Sequence, residues 1–264
     1  MNKKQITIHK RNEMARGTDG YSVFAKRAIN AIYYLIQTNI NNGHSKTIEQ
    51  SQYIPLEFPY LRKMLNLETT ESYVKKIEEA LSELQKPMKF NNFKNPRDGQ
   101  IYNWYSISVL SEASWKVNNN KKIAYVSLSP LVKWLMINTN EGNFTKLELV
   151  QIVNKLRSKY GMKIYEYLKS FGAYRYLDIT QKHLMKLLNL DEKSTYKYYS
   201  KLEELLERQL NEIVKKTDLK EVKLIKSKSL AKEKTFRIII NPKSKKDVEK
   251  TEAKTALENL IKRF

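Results

Sequence analysis

The 264-residue chain has no cysteine, which excludes disulfides, thiolate zinc sites, iron–sulfur clusters and a cysteine nucleophile, and suits a reducing compartment. Histidine is nearly as scarce. His9, His44 and His183 lie far apart and form neither a His-x-His nor a His-x-x-x-His pair, so no one element offers two imidazoles to a metal. Seven glycines leave little material for a phosphate-cradling loop, and no G-x-x-x-x-G-K-[ST] run occurs. No Asp-x-Asp pair is found among Asp19, Asp98, Asp178, Asp191, Asp218 and Asp247, which argues against a two-metal polymerase or nuclease. Long apolar runs are missing as well. Stretches such as 28–36 and 238–240 are soon interrupted, whereas a membrane helix needs roughly 20 apolar residues. The basic start is not followed by the apolar segment of a secretory signal. The expectation is a cytoplasmic protein that uses no cofactor or metal and does not act at a membrane.

Positive charge is what the chain has in excess: 49 Lys and Arg against 28 Asp and Glu, a formal net charge of +21. Such a surface concentrates polyanions and makes nucleic acid or an anionic membrane face the default partner. The hydrophobic fraction of 41% and aromatic fraction of 11% are too high for a disordered basic tail, so the chain folds around a core.

An internal repeat organises the sequence. Leu61-Arg62-Lys63-Met64-Leu65-Asn66-Leu67-Glu68 returns as Leu184-Met185-Lys186-Leu187-Leu188-Asn189-Leu190-Asp191, 123 positions later, and Ser72-Tyr73 then align with Thr195-Tyr196. In each copy three apolar residues at i, i+3 and i+4 (Leu61, Met64, Leu65; Leu184, Leu187, Leu188) form one helical face. Asn66 and Asn189 stand where a left-handed residue would end the helix. Thr70 with Glu71, and Ser194, offer N-caps for a second, longer helix.

A basic hairpin is expected after each helix pair. The first runs from Lys86 through Lys89, Lys94 and Arg97, turns at Asp98-Gly99, and continues in strands at 101–107 and 123–128; the second joins 222–225 to 235–240. Helix, turn, helix and basic hairpin describe a winged helix-turn-helix. The predicted fold class is α+β, mainly helical, with two tandem winged helix-turn-helix domains related by this pseudo-repeat. Around them the spacing predicts helices over 21–38, 130–136 and 145–171, the last closed by Gly172. A boundary within 138–143 gives a first domain of 1–143, a second of 144–241 and a basic tail of 242–264.

In such a module the second helix enters the major groove and the wing touches the adjacent backbone. The DNA-binding candidates of the second module are Lys193, Ser194, Lys197, Tyr198 and Lys201 on the helix, with Lys197 and Lys201 on one face. Its wing offers Lys226, Lys228, Lys232 and Lys234; between 220 and 237 seven basic residues face two acidic ones. The first module offers Ser72, Tyr73, Lys75 and Lys76 on the helix and Lys89, Lys94 and Arg97 on the wing. No catalytic residue is expected. A rolling-circle nickase would need a tyrosine beside two paired histidines, and 17 tyrosines without an activating base or metal are core or phosphate-contacting groups.

Leu156-Arg157-Ser158-Lys159-Tyr160-Gly161-Met162-Lys163-Ile164-Tyr165-Glu166-Tyr167-Leu168-Lys169 resembles the "LkSkYalrLYelLk" signature of the iteron-binding replication initiators of theta-replicating plasmids. Asn211-Glu212-Ile213 with Thr217-Asp218-Leu219 is similar to the family's "EIN…TDl" segment, and 8–14 to its opening "v.ksN.l". The similarity covers about residues 5 to 241. It implies two winged-helix domains, the second carrying the main iteron recognition and the first serving dimerisation and backbone contacts. It further implies monomers on direct repeats at a plasmid origin, recruitment of the host chromosomal initiator and replicative helicase, copy-number control, and dimers on an inverted repeat at the protein's own promoter. The runner-up is a winged-helix transcription regulator without origin function; a primase-like or nicking enzyme is the reading from another class. One departure stands out. Family members carry a basic cluster in mid-helix where this chain has Lys201-Leu202-Glu203-Glu204, so contacts are expected nearer 193–201, unless the acidic side chains read cytosine amino groups.

Overall fold

The computed structural model describes residues 7–70, 72–139, 144–148, 155–171, 176–219, 221–226 and 234–241. Strand β1 (Thr7–Arg11) leads through the one-turn α1 (Asn12–Arg16) to α2 (Val23–Asn41). Ser22 caps α2 by accepting a hydrogen bond from the Ala25 amide, and its apolar stripe of Ala25, Ala28, Ile29, Ile32, Tyr33 and Ile36 is buried. The helix ends at Asn42-Gly43, where Gly43 takes a φ of +85° that a side chain would resist.

Next come α3 (Ser45–Gln50), β2 (Ile54–Glu57), α4 (Phe58–Leu65) and α5 (Tyr73–Glu83). Four strands follow as two hairpins: β3 (Pro87–Lys94) with β4 (Ile101–Ser108), and β5 (Leu110–Asn118) with β6 (Lys121–Leu128). Then α6 (Pro130–Ile137) and β7 (Phe144–Glu148) precede α7 (Lys159–Lys169). The described chain closes with β8 (Tyr176–Thr180), α8 (Gln181–Leu187), a 3-10 turn at Thr195–Lys197, α9 (Tyr199–Lys216), β9 (Glu221–Lys226) and β10 (Thr235–Asn241).

Two three-stranded antiparallel sheets share one connectivity. In the order β2-β6-β5, the strand before a helix pair lies beside the last strand of the following hairpin, and β8-β10-β9 repeats this. The expectation that 123–128 pairs with 101–107 is incorrect: β6 pairs with β5 and β2, while β3–β4 forms a separate two-stranded sheet. That ribbon is an insertion between the second helix and the hairpin that completes the sheet.

The long helix expected over 145–171 is also incorrect in its first part. Thr145 to Glu148 are extended because β7 pairs with β1, Leu147 opposite Ile8, both fully buried. The helix starts only at Lys159, where Ser158 accepts from the amides of Tyr160 and Gly161. Residues 149–154, Gly172 and the tail 242–264 lie outside the described residues.

The signature segment is α7, and it faces inward. Lys163 and Glu166 are each about 2% exposed, inside a cluster formed with Lys10, Asp19 and Lys26. The Lys163 ammonium donates to the carbonyls of Ala15 and Gly17 and to Asp19 at 3.1 Å. Asp19 also accepts from Lys26, while Glu166 accepts from Lys10 at 2.8 Å and from Asn30 at 3.3 Å. Burial alone would raise both carboxyl pKa values, but the surrounding ammoniums outweigh it and hold them below the ordinary range. Burial pulls Lys163 down to about 8 against the attraction of Asp19. The cluster sets three ammoniums against two carboxylates, so removing a carboxylate leaves uncompensated charge in low dielectric, which costs about 3–5 kcal/mol. On the same helix Tyr165 donates to Asp218 at 2.7 Å, and Lys169 pairs with that carboxylate. The signature segment is thus an element of packing between the two halves of the chain.

Candidate nucleic-acid interface

Each helix pair positions the start of its second helix beside a hairpin. In the first, α4 buries Leu61 and Leu65 and stops at Asn66, whose φ of 56° is left-handed. After a short turn, α5 begins at Tyr73 and buries Ile77, Ala80 and Leu81, leaving Lys75 and Lys76 exposed. Ser72 precedes it without capping it; its hydroxyl lies 3.0 Å from that of Thr70.

The β5–β6 hairpin turns at Asn119 and Asn120, with φ of 47° and 61°, the backbone that a type I′ turn requires. Its Trp115 indole donates to Glu78 of α5 at 2.6 Å and packs on Phe58, ring centroids 5.3 Å apart. Lys122 places its ammonium 5.9 Å from the Tyr73 ring and 5.8 Å from Trp115. Lys116 and Lys121 are exposed beside it. Lys121 lies 3.4 Å from Glu57, an open pair worth little in water.

In the second pair Thr180 caps α8 through the His183 amide, Leu184 and Leu187 are buried, and the chain turns at Asn189 with φ 50°. The second helix does not begin where the repeat predicts. Thr195–Lys197 form a 3-10 turn, Tyr198 is extended at φ −79°, ψ 127°, and α9 starts at Tyr199. Tyr199 stacks on Phe236 with centroids 4.5 Å apart and nearly parallel rings, and donates to the Thr235 carbonyl at 3.3 Å. Lys234 holds its ammonium 5.6 Å from the same ring.

The first residue of each second helix is therefore a tyrosine with a hairpin lysine over its face: Tyr73 with Lys122, Tyr199 with Lys234. Both sites bring a cation, an aromatic surface and a helix start together, a grouping suited to phosphate and sugar contacts.

The structure redistributes several predicted site residues. Lys197 and Lys201 do not share a helical face, because Tyr198 breaks the helix between them. Gln181 fixes the turn by donating to the Lys197 carbonyl at 2.6 Å, and Lys193 stands exposed before it. Lys201 is engaged with both carboxylate oxygens of Glu204, at 3.1 and 3.0 Å, so each charge compensates the other. The Ser194 hydroxyl oxygen is shut off from solvent, and Tyr198 is 59% exposed. Lys89 and Lys94 sit on the inserted strand β3 and Arg97 in its turn, away from the sheet that β5–β6 completes. Lys228 and Lys232, and the side chain of Lys226, lie outside the described residues. Lys116, Lys121 and Lys122 escaped the sequence reading, though the Asn118-Asn119-Asn120 turn signal between basic strands could have revealed them.

Two of the three histidines serve in packing: His9 stacks on Phe144 at 4.6 Å, and His183 meets the Tyr167 hydroxyl at 3.3 Å, while His44 is exposed. Burial, then the nearby charges of Lys146 and Lys186 respectively, lowers both imidazole pKa values. Among the described residues no group of three or more His, Cys, Asp or Glu could hold a metal ion, and no helix is long and apolar enough to cross a membrane.

A strand, a helix pair and a hairpin that closes a three-stranded sheet define a winged-helix protein of the DNA-binding kind. Residues 7–169 match the family model described as Initiator Replication protein, WH1, and the chain belongs to that family. Among solved structures, the Pi initiator protein in complex with iteron DNA is similar over 90% of this chain and 98% of its own, with a TM-score of 0.61 at 13% identity. Domains 2 and 3 of RctB align over 83% of this chain and 82% of theirs, with a TM-score of 0.49 at 8% identity. No curated protein matches the chain.

Proposed function

We propose that this replication initiator binds direct-repeat (iteron) duplex DNA sequence-specifically through two tandem winged helices. The observation that carries the reading is the shared sheet order, in which each second helix opens on a tyrosine covered by a hairpin lysine. The Pi initiator, solved on iteron DNA, follows this chain over most of its length, which supports the same class of ligand.

In the first unit Ser72, Tyr73, Lys75 and Lys76 face the groove, and Lys116, Lys121 and Lys122 take the wing position. Lys89, Lys94 and Arg97 lie on the separate ribbon and contribute charge from its side. In the second unit Lys193, Lys197, Tyr198 and Lys201 approach the groove, with Lys234 and the lysines at 226, 228 and 232 on the wing. The pairing of β7 with β1 supports counting residues 144–148 with the first unit, so we set the division after 148. The protein acts by binding and not by bond cleavage, and works with the host chromosomal initiator and replicative helicase in the cytoplasm. A homodimer on an inverted repeat represses its own promoter.

Footprinting of the full chain on the DNA flanking its gene tests this. The expected result is periodic protection over direct repeats about 20 base pairs long, with affinity about 10³-fold or more above a shuffled duplex at the same salt. Equal affinity for both duplexes would refute sequence-specific recognition, and strand cleavage on adding magnesium would refute the non-enzymatic reading.

A further inference from the structure

A cleft of about 490 Å3 opens where the inserted ribbon meets α8, within the roughly 300–1,000 Å3 typical of small-molecule sites. Four lysines line it: Lys89 from β3, Lys182 and Lys186 from α8, and Lys234 just before β10; Glu192 is the one carboxylate among the lining residues. None of the four makes an ion pair within the described residues. Lys182 and Lys186 are four apart on one helix, an arrangement that destabilises by like-charge repulsion unless an anion lies between.

The walls are fixed by backbone hydrogen bonds. Thr18 and Lys89 exchange two at 2.9 Å each, and the Gln181 amide donates to the Lys234 carbonyl at 2.9 Å. The Leu190 amide donates to the Met185 carbonyl at 2.9 Å, closing a tight turn at Asn189. The cleft therefore exists before any ligand arrives. Its floor is apolar where Met185 and Leu190, half-buried against the core, face the opening.

A cationic rim over an apolar floor suits a ligand with the same two parts. A nucleoside triphosphate has them: a polyanionic chain for the lysines and a planar base for Met185 and Leu190. Inorganic phosphate would leave the floor bare. We infer that this cleft binds a free nucleoside triphosphate, which ties the β3–β4 ribbon to the second helix–hairpin unit. The inference goes beyond the DNA reading, with which it shares Lys89 and Lys234.

Isothermal titration of the full chain with ATP, in the absence of DNA, tests it. Saturable binding below about 1 mM is expected, together with a rise in Tm that follows occupancy. The K182A/K186A variant should weaken binding tenfold or more, on the scale of a lost charge-assisted contact, while K46A on α3 should leave it unchanged. M185E, checked by circular dichroism for an intact fold, should lose it. Absence of saturable binding would overturn the proposal, as would indifference to K182A/K186A. Equally tight binding of tripolyphosphate would reduce the cleft to a general anion trap, and tighter binding of a short thymidine oligonucleotide would assign it to nucleic acid instead; either overturns the nucleotide.

Discussion

In the first helix–hairpin unit the chain passes from Asn66 through one short turn straight into α5 at Tyr73; in the second, a 3-10 turn and an extended Tyr198 separate Asn189 from α9 at Tyr199. The asparagines are 123 positions apart and the tyrosines 126. Those three extra residues displace Lys193 and Lys197 from the helix onto its approach, so the second unit presents cations from an irregular segment held by Gln181, and the first presents them from the helix surface. The first unit instead carries its own extra piece, the β3–β4 ribbon. Two frames alike in strand order thus carry extra chain at different points, the first after its second helix and the second before it.

The largest expected effect comes from breaking what joins the units. Asp19→Asn should cost about 3–5 kcal/mol in urea unfolding, because it strands the ammoniums of Lys26 and Lys163, whereas Lys163→Met leaves Asp19 with Lys26 and Glu166 with Lys10 and should cost less. The acid limb has a definite sign. The Asp19 and Glu166 pKa values are lowered from 3.8 and 4.5, so their stabilisation is complete above those ordinary values and disappears as pH falls through the lower folded ones. Acid unfolding of Asp19→Asn should therefore be shallower than that of the parent; an unchanged slope would contradict the role assigned to Asp19.

A second test touches only the first unit. A methyl group at Gly17 would lie 2.4 Å from the Phe90 ring, so Gly17→Ala should destabilise by about 1–3 kcal/mol by forcing the ribbon away. Thermal unfolding checks it, and a neutral result would show that β3–β4 moves freely. A third sharpens the parallel between the two tyrosine–lysine pairs. Lys122→Ala and Lys234→Ala should each lower the salt slope of DNA binding by about 0.9, the loss of one phosphate contact. A change in only one would show that only one unit touches the backbone through its wing. The smallest effect belongs to Lys201→Ala, whose ammonium is already committed to Glu204. Its salt slope should change less than that of Lys197→Ala in the same titration.

The regular parts of the fold were legible in the residues. Helical spacing located α4 and α8 and their asparagine ends, and β-branched and aromatic runs located β9 and β10. What escaped was decided by pairing between distant segments. Nothing local in Thr145-Lys146-Leu147-Glu148 distinguishes a helix start from a strand, and only β1 across the sheet selects the latter. The wing of the first unit was misread because two consecutive hairpins each carry lysines, and sequence cannot say which joins β2. Tyr196 fitted the repeat better than Tyr199, yet stacking on Phe236 favours Tyr199 at the head of the helix.

The buried cluster has a practical side. Lys10, Lys26 and Lys163 come from three separate elements and are each 5% exposed or less, whereas most other lysines among the described residues are open to solvent. A reagent that acylates amines will mark the surface lysines at once and reach these three only when α7 lifts from α2. Their labelling over time, read peptide by peptide in a mass spectrometer, is a built-in clock for how often the two halves of the initiator part.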